Sequence, residues 1–527
     1  MTTRLAALLV TLFIIVAGSA MGRTSTTFDE IVFPAVGARA LANGDFGMVN
    51  DHPRLPQLLL GMPLHLAGVK LPPEVGHHWN WYTRYQYSEY LYWMAGNAGE
   101  RVTLLSRLVG LAFGALTVAA TFFLARRHMR PGAALLAATL VALLPDMLAH
   151  AGIAYNDVPL AFAVLVCIYA LDAMVREPTP RRATVAALAF ALAAGIKYSG
   201  LVVLPVAGVL VVLEAIARRG DRRWCVAVLR AGGVFALVAY ASLVLIYAGD
   251  WRLADYMQGL TELSNSALVQ SRTAFLLGEH RDGGWWYFFP VAFALKTPLG
   301  FHVLAVVAVI AAVLASRAGA WRSWLSHGAR APAVGAALLA AAAIGSRLNI
   351  GMRHALPLLP LACILVAQGV DWAAARGGRK VAALAGVALF AMAASSLRAY
   401  PFFISYLSEW AMGRPLHATL VDSNTDWGQG LVALREFMTA NRIERVQLGY
   451  FGTAIPEGYG IDFVPLPSYF AIGRDAATGP APRFAVVSAT LLAGSYLRDD
   501  PYARLRGQRP VAVVGGSLYV FDLQAVK

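Results

Sequence analysis

Residues 5–33 read LAALLVTLFIIVAGSAMGRTSTTFDEIVF: an uncharged apolar run from Leu5 to Ala20, then two adjacent carboxylates, Asp29 and Glu30. The run approaches the roughly 20 residues that an α-helix needs to cross the hydrocarbon core of a bilayer. The acidic pair therefore falls where a helix leaves the membrane. The rest of the chain carries the same signature. Of 527 residues, 58% are hydrophobic and only 14% charged, with a mean hydropathy of +0.58. An ordinary soluble domain cannot hide that much apolar surface, so the chain reads as an integral membrane protein. A net charge of +14 would suit nucleic acid in a soluble protein. Here the arginines fall between apolar runs, where orientation in the bilayer accounts for them. Cys167, Cys225 and Cys363 lie in or beside apolar runs and form neither a disulfide framework nor a thiolate metal site.

Eleven stretches are apolar enough to be spans: 4–21, 102–125, 132–149, 158–175, 184–196, 199–216, 226–248, 290–315, 331–346, 355–370 and 381–398. Under this count every second loop is basic: Arg126, Arg127 and Arg130; Arg176, Arg181 and Arg182; Arg218, Arg219, Arg222 and Arg223; Arg317, Arg322 and Arg330; Arg376, Arg379 and Lys380. Positive loops face the cytoplasm. The N-terminus with Arg4 is therefore expected inside, and three larger segments outside: 22–101, 249–289 and the tail 399–527. The first span also fits a cleaved signal peptide, with AGSA as its small-residue end. The expected architecture is an all-α polytopic membrane domain over 1–398, with about eleven transmembrane helices, and a small α/β extracytoplasmic domain over 399–527. In that tail LVALREFM has helical spacing, whereas RVQLGYF, RFAVVSA and PVAVVGGSLYVFDL are β-rich. In the first outer segment, IVFPAVGARAL and PQLLLGMPLHLAGV are too short or too interrupted by Pro to span. They are expected along the membrane surface, as the floor of a site. The aromatic segment His77 to Trp93 fits an interfacial belt or a sugar-stacking platform.

Ionisable groups at membrane depth are expensive and are kept for a reason. Besides Asp29 and Glu30, those expected on the outer side are His150 and Asp157 in HAGIAYNDVPLAF, Lys197 in GIKYSGL, Lys296 in FALKTP, and Arg347, Arg353 and His354 in GSRLNIGMRHALPLLP. Carboxylates and cations gathered at headgroup depth suit a reaction of an anionic lipid. Arginine and lysine hold a phosphate, and a carboxylate takes a proton from an incoming hydroxyl. Each residue also has a plainer explanation. A lysine at a helix end can be a snorkelling anchor, and Asp157 can be a helix-start residue. Thr27-Phe28-Asp29-Glu30 fits a capping box, with Thr27 as N-cap and Glu30 reaching back to its N–H. Asp29 would then gain from the helix dipole.

Taken together, FDEIVFPAVGARALANGDFGMVNDHPRLPQLLLGMPL, AYNDVPLAF, IKYSGL, GGWWYFFPVAFALKTP, LNIGMRHALPLLP, YPFFISYLSEWAMG and DSNTDWGQGLVALREF resemble, in order, a family of membrane glycosyltransferases that use polyprenyl-phosphate sugars. These are the protein O-mannosyltransferases and the lipid A aminoarabinose transferase, which share the GT-C fold. One departure is Arg54, standing where the family's acidic-His-Pro-Pro-Leu element has its second Pro. The resemblance implies an inverting transfer from a polyprenyl-phosphate sugar to an acceptor hydroxyl on a protein, lipid A or an envelope glycan, at the outer face of a bacterial inner membrane. It implies two catalytic residues: Asp29 as base, and Asp157, the acid of the second outer loop, as the residue that helps arrange the acceptor and the active site. Lys197 and Arg353, then Arg347, His354 and Lys296, are expected on the donor phosphate, with Glu30, His52, Asn156 and Tyr198 in support.

A transporter or flippase of lipid-linked sugars would also be basic inside, but transporters of that kind commonly show paired repeats. This chain has an odd span count and a folded outer tail instead. Cofactors are not required on this reading. A divalent ion is possible, although no set with metal-ligand spacing occurs in the outer segments.

Overall fold

The computed structural model describes residues 1–73, 81–265, 273–317, 319, 328–470 and 481–525. Every stretch expected to span is largely helical, with interruptions at Leu144 in 132–149 and at Thr297–Pro298 in 290–315. Among the described residues seven helices are long and apolar enough to cross a membrane: Thr2–Met21, Gly99–Ala125, Asp157–Arg176, Tyr198–Arg218, Arg222–Ile246, Leu299–Arg317 and Leu358–Arg398. An eighth forms if Pro131–Leu143 and Pro145–Ala151, bent by 65°, are one span. The difference from eleven has a physical basis. Helices Pro180–Ile196 and Arg330–Gly345 have only 17 and 16 residues. The 41-residue helix Leu358–Arg398 takes in both of the last two expected spans, with a break between them at Gly378 (φ 57°, ψ −138°), a positive-φ conformation that glycine adopts freely. Arg322, counted among the basic loop residues, lies outside the described residues.

Helix Asp157–Arg176 is the centre of the bundle, buried over about four-fifths of its apolar window (78%). That is the place for a helix apolar on every side. It packs against Gly99–Ala125, Pro180–Ile196, Val203–Arg218 and Arg330–Gly345. Its two ends carry different chemistry. At the far end, Arg330 donates to Asp172 at 2.8 and 2.6 Å and pairs with Glu214, while Arg176 and Arg218 take the remaining oxygens of the same acids at 2.7–2.8 Å. At the near end stands Asp157, about 20 Å or more away at 1.5 Å of rise per residue.

Helices Val32–Asn43 and Leu55–Leu66 follow the acidic pair. They are expected flat on the membrane surface, yet Val32 to Ala40 are all buried. The reason is a crossing of two glycines. A Cβ on Gly37 would lie 1.9 Å from the Gln57 carbonyl oxygen, and one on Gly61 would lie 2.2 Å from the Gly37 carbonyl carbon. The expectation that they floor a site holds in one respect, since Val32 and Phe33 line the cavity described below.

The C-terminal region forms the expected strands. The sheet is mixed, with order β4-β3-β5-β7-β6, from β3 (Arg445–Gly449), β4 (Asp462–Pro465), β5 (Phe484–Ser488), β6 (Ala512–Val514) and β7 (Leu518–Asp522). β3 pairs in parallel with β4 and β5, while β7 runs antiparallel to β5 and β6. Helix Leu431–Ala440 buries Leu431, Leu434 and Met438 against Val446, Leu448, Val486 and Val520 of the sheet. Strands β1 (Thr273–Leu276) and β2 (Glu279–Asp282) form a separate hairpin.

Candidate active site

Residues 25–28 are laced to the C-terminal region. The Phe28 N–H donates to the Trp427 carbonyl (2.8 Å), the Ser25 N–H to that of Gln429 (3.1 Å), and the Ser25 hydroxyl to that of Gly428 (2.7 Å). Thr453 returns a hydrogen bond to the Phe28 carbonyl at 2.6 Å. Glu30, fully buried, fixes the segment from below. Its Oε1 accepts from Arg107 Nε (2.7 Å) and the Ala154 N–H (2.9 Å), and its Oε2 from Arg107 Nη2 (2.9 Å) and the Thr27 N–H (2.8 Å). Arg107 also donates to the Met21, Thr24 and Ser25 carbonyls. Half of the capping box is thus present, in Glu30 reaching back to Thr27. The other half is not. The helix starts at Val32, the Thr27 hydroxyl has no partner among the described residues, and Asp29 precedes the helix rather than sitting in its first turn. The pull of a buried arginine on Glu30 has replaced the cap.

With Glu30 anchored, Asp29 turns the other way, into a cavity of about 320 Å³. Its Oδ1 accepts from the Tyr85 hydroxyl (2.8 Å) and its Oδ2 from Arg353 Nη2 (3.1 Å). Arg353 lies on a 3₁₀ turn, Met352–Ala355, fixed by a bond from the Met352 N–H to Asn424 Oδ1 (3.0 Å). Its Nε donates to Ser423 (3.1 Å), and its guanidinium sits 4.3 Å from the Trp427 ring centre and 5.2 Å from that of Tyr155. Its Nη1 stands 3.6 Å from Asp157 and makes no hydrogen bond among the described residues. Lys197, in extended backbone between two helices, donates to the other Asp157 oxygen at 2.7 Å. Four residues far apart in sequence therefore alternate in charge: Asp29, Arg353, Asp157, Lys197. Burial disfavours the Arg353 cation, but Asp157 and then Asp29 raise its pKa above the ordinary value. Burial, with Asp29 behind it, pushes the Tyr85 phenol far up, so it stays a donor.

A second pair faces the cavity. Arg84 grips Asp51 through both oxygens, at 2.7 and 3.2 Å, and His52 lies 3.3 Å from the same carboxylate. Burial would raise Asp51, but His52 and Arg84 outweigh it and hold the carboxyl well below its usual range. Asp422, Trp427, Phe451 and Tyr469 close the cavity from the C-terminal side.

Not every expected residue joins this set. Lys296 is buried elsewhere. Its ammonium donates to the carbonyls of Ile404 (2.7 Å), Tyr406 (3.1 Å) and Asn424 (2.6 Å) and stands 3.1 Å from Asp146, so it has nothing left for a phosphate. Arg347 is exposed and does not line the cavity, and His354 is half-buried next to Arg353 without lining it. Tyr198 donates to the Tyr256 carbonyl (3.2 Å) in a separate aromatic group. Asn156 is buried beneath Asp157, and its amide has no hydrogen bond among the described residues. Arg107, Arg84, Tyr85, Tyr155 and Asp422 join the site or its support without a signal of their own in the sequence. Arg84 and Tyr85 belong to the aromatic segment 77–93, of which 77–80 lie outside the described residues. Tyr155 and Asp422 stand within stretches that carry the family resemblance. Among the described residues no three His, Cys, Asp or Glu side chains converge as a metal site would require.

Residues 6–249, a little under half of the chain, match the family described as dolichyl-phosphate-mannose-protein mannosyltransferase. The whole chain shares its fold with the crystal structure of ArnT from Cupriavidus metallidurans in the apo state, at 14% identity and a TM-score of 0.52, covering 100% of this chain and 99% of that one. The same protein bound to undecaprenyl phosphate matches at 14% identity and a TM-score of 0.51, over 99% and 98% of the two chains. No curated protein matches significantly by sequence. These findings bear out the resemblance read from the sequence and the GT-C-like fold expected with it. The family match over residues 6–249 and the shared fold agree with the glycosyltransferase reading of the sequence.

Proposed function

We propose that the chain is an inverting glycosyltransferase that carries a sugar from a polyprenyl phosphate to an acceptor hydroxyl at the outer face of a bacterial inner membrane. The observation that supports this most is a single cavity walled by two carboxylates, Asp29 and, from the C-terminal side, Asp422, and by two guanidinium groups, Arg353 and Arg84. Each Asp29 oxygen accepts one hydrogen bond and keeps a further lone pair. The acceptor O–H gives its proton to that carboxylate while its oxygen attacks the anomeric carbon. The bond from that carbon to the phosphate oxygen breaks on the opposite side, and its electron pair leaves with the polyprenyl phosphate. No sugar–enzyme bond forms.

The leaving phosphate gains charge in the transition state, so cations fixed in advance stabilise it more than they stabilise the substrate. Arg353 suits this role, because it is clamped by Trp427 and Tyr155 and its Nη1 has hydrogens to spare. Asp157 and Lys197 act as positioning residues. Asp157 does not line the cavity, but it fixes Arg353 from behind, and Lys197 balances its charge. The outer orientation rests on the arginine-rich loops, which are expected on the cytoplasmic side.

The test is incubation of the purified chain with a panel of polyprenyl-phosphate sugars and candidate acceptor proteins, lipid A and glycans, followed by mass spectrometry. Transferase action releases free polyprenyl phosphate together with a glycosylated acceptor. Lipid-linked sugar crossing a vesicle intact, with no release, would favour the transporter.

A further inference from the structure

At the end of the bundle remote from Asp29, helix Arg222–Ile246 and the turn at 177–180 enclose an open groove of about 720 Å³. Arg222, Arg223 and Arg230 line it together with Val226, Val234 and Pro178. Its walls are fixed. Trp224 is buried and donates through Nε1 to the Val175 carbonyl (2.9 Å), and Asp221 caps the helix through the Trp224 N–H (3.1 Å). Arg218 bridges to the Arg176 carbonyl at 2.8 Å.

The neighbouring acids are all engaged. Asp172 and Glu214 hold Arg330, Arg176 and Arg218, Glu177 pairs with Arg182 at 2.8 Å, and Asp221 serves the helix cap. Among the described residues no carboxylate pairs with Arg222, Arg223 or Arg230. Two of these sit in the first turn of their helix, where the macrodipole disfavours cations. The third, two turns further on the same side and about 10 Å deeper, stands on an apolar helix where an unpaired charge is expensive. Three arginines kept against these costs beside an apolar wall match an anion that carries a hydrocarbon chain. A free phosphate would use the arginines but leave the apolar wall without purpose.

We propose that this groove binds an anionic phospholipid, its phosphate among Arg222, Arg223 and Arg230 and an acyl chain along Val226 and Val234. The arginines spread about 10 Å along the helix, somewhat more than the headgroup region of one leaflet, about 5–8 Å deep, so Arg230 reaches the boundary where the acyl chain begins. This goes beyond ordinary basic-loop anchoring, because the site has a defined wall.

Native mass spectrometry of the purified full chain, titrated with phosphatidylglycerol or phosphatidylcholine, tests it. The wild type should retain phosphatidylglycerol in preference to phosphatidylcholine. An arginine near an anionic headgroup contributes on the order of fivefold in affinity, so R223Q/R230Q should bind roughly twenty- to thirtyfold more weakly. R181Q, an exposed arginine outside the groove, should bind as the wild type does. V226E, which keeps every arginine but sets a carboxylate in the groove, should lose the preference by an independent route. Equal retention of both lipids by the wild type, or undiminished binding by R223Q/R230Q and V226E, would overturn the proposal. So would full displacement by millimolar inorganic phosphate, since the apolar wall would then contribute nothing.

Discussion

Asp29 and Glu30 are adjacent, equally acidic and oppositely employed. Glu30 is enclosed by Arg107 and two backbone N–H groups, and all of its bonds hold the chain in place. Asp29 spends one bond per oxygen and faces a cavity. Removing one member of a buried ion pair leaves the other charged and unpaired, at a cost of about 3–5 kcal/mol. Glu30→Gln should therefore lower the thermal unfolding midpoint in detergent markedly, while the protein that remains folded retains much of its turnover. An inactive variant of wild-type stability would assign Glu30 to the chemistry. Arg353→Lys separates geometry from charge. A lysine carries the charge but cannot span Asp29, Asp157 and Ser423 at once. Turnover should fall on the order of a hundredfold, with donor affinity reduced less, in a comparison of kcat and KM.

At the scale of elements, the crossing of Val32–Asn43 over Leu55–Leu66 sets where the cavity wall stands. Gly61→Ala would put a methyl group 2.2 Å from the Gly37 carbonyl carbon, and backbone cannot yield as a flexible side chain can. Overpacking of this kind costs about 1–3 kcal/mol or more. Because Val32 and Phe33 move with the helix, transfer should suffer even below the unfolding temperature, and assays at 10 °C would separate the two effects. The sequence shows these helices as too short to span, and Asp29, Asp157, Lys197 and Arg353 as ionisable groups expected at one membrane face. It does not show the pairing. Whether Lys197 meets a phosphate or Asp157 depends on an approach between residues 40 apart, and whether Lys296 meets a donor or three backbone carbonyls depends on approaches between segments more than 100 residues apart. Arg107 lay hidden for the same reason. It sits at helical spacing in an apolar stretch, and only its partner explains it.

For the molecule as a whole, the C-terminal region is part of the site, since Trp427 and Asp422 wall the cavity and residues 427–429 hold the segment before Asp29. Its strands are legible as alternating apolar runs, but its docking is not, because hydrogen bonds between backbone groups leave no trace in composition. The fold of this region has a pH signature. Burial pushes the Asp426 carboxyl up to about 7, although the Thr490 N–H donates to it at 2.7 Å. Unfolded, it titrates near the ordinary aspartate value of about 3.9. The folded state thus binds the proton more tightly, and the resulting stability is full below about pH 4 and lost as pH rises through 7. The unfolding midpoint of the wild type should fall relative to that of Asp426→Asn between pH 5 and pH 8. Parallel curves would place the protonation elsewhere.

The measurement closest to the central claim is the release of free polyprenyl phosphate by the purified chain and by its Asp29→Asn variant, with donor and acceptor present and the same folded fraction. A positioned general base contributes on the order of a hundredfold to ten-thousandfold. The wild type should release polyprenyl phosphate in step with glycosylated acceptor, and Asp29→Asn should bind the donor yet fall in rate by that factor. Wild-type release by Asp29→Asn would contradict the assignment of Asp29 as the base.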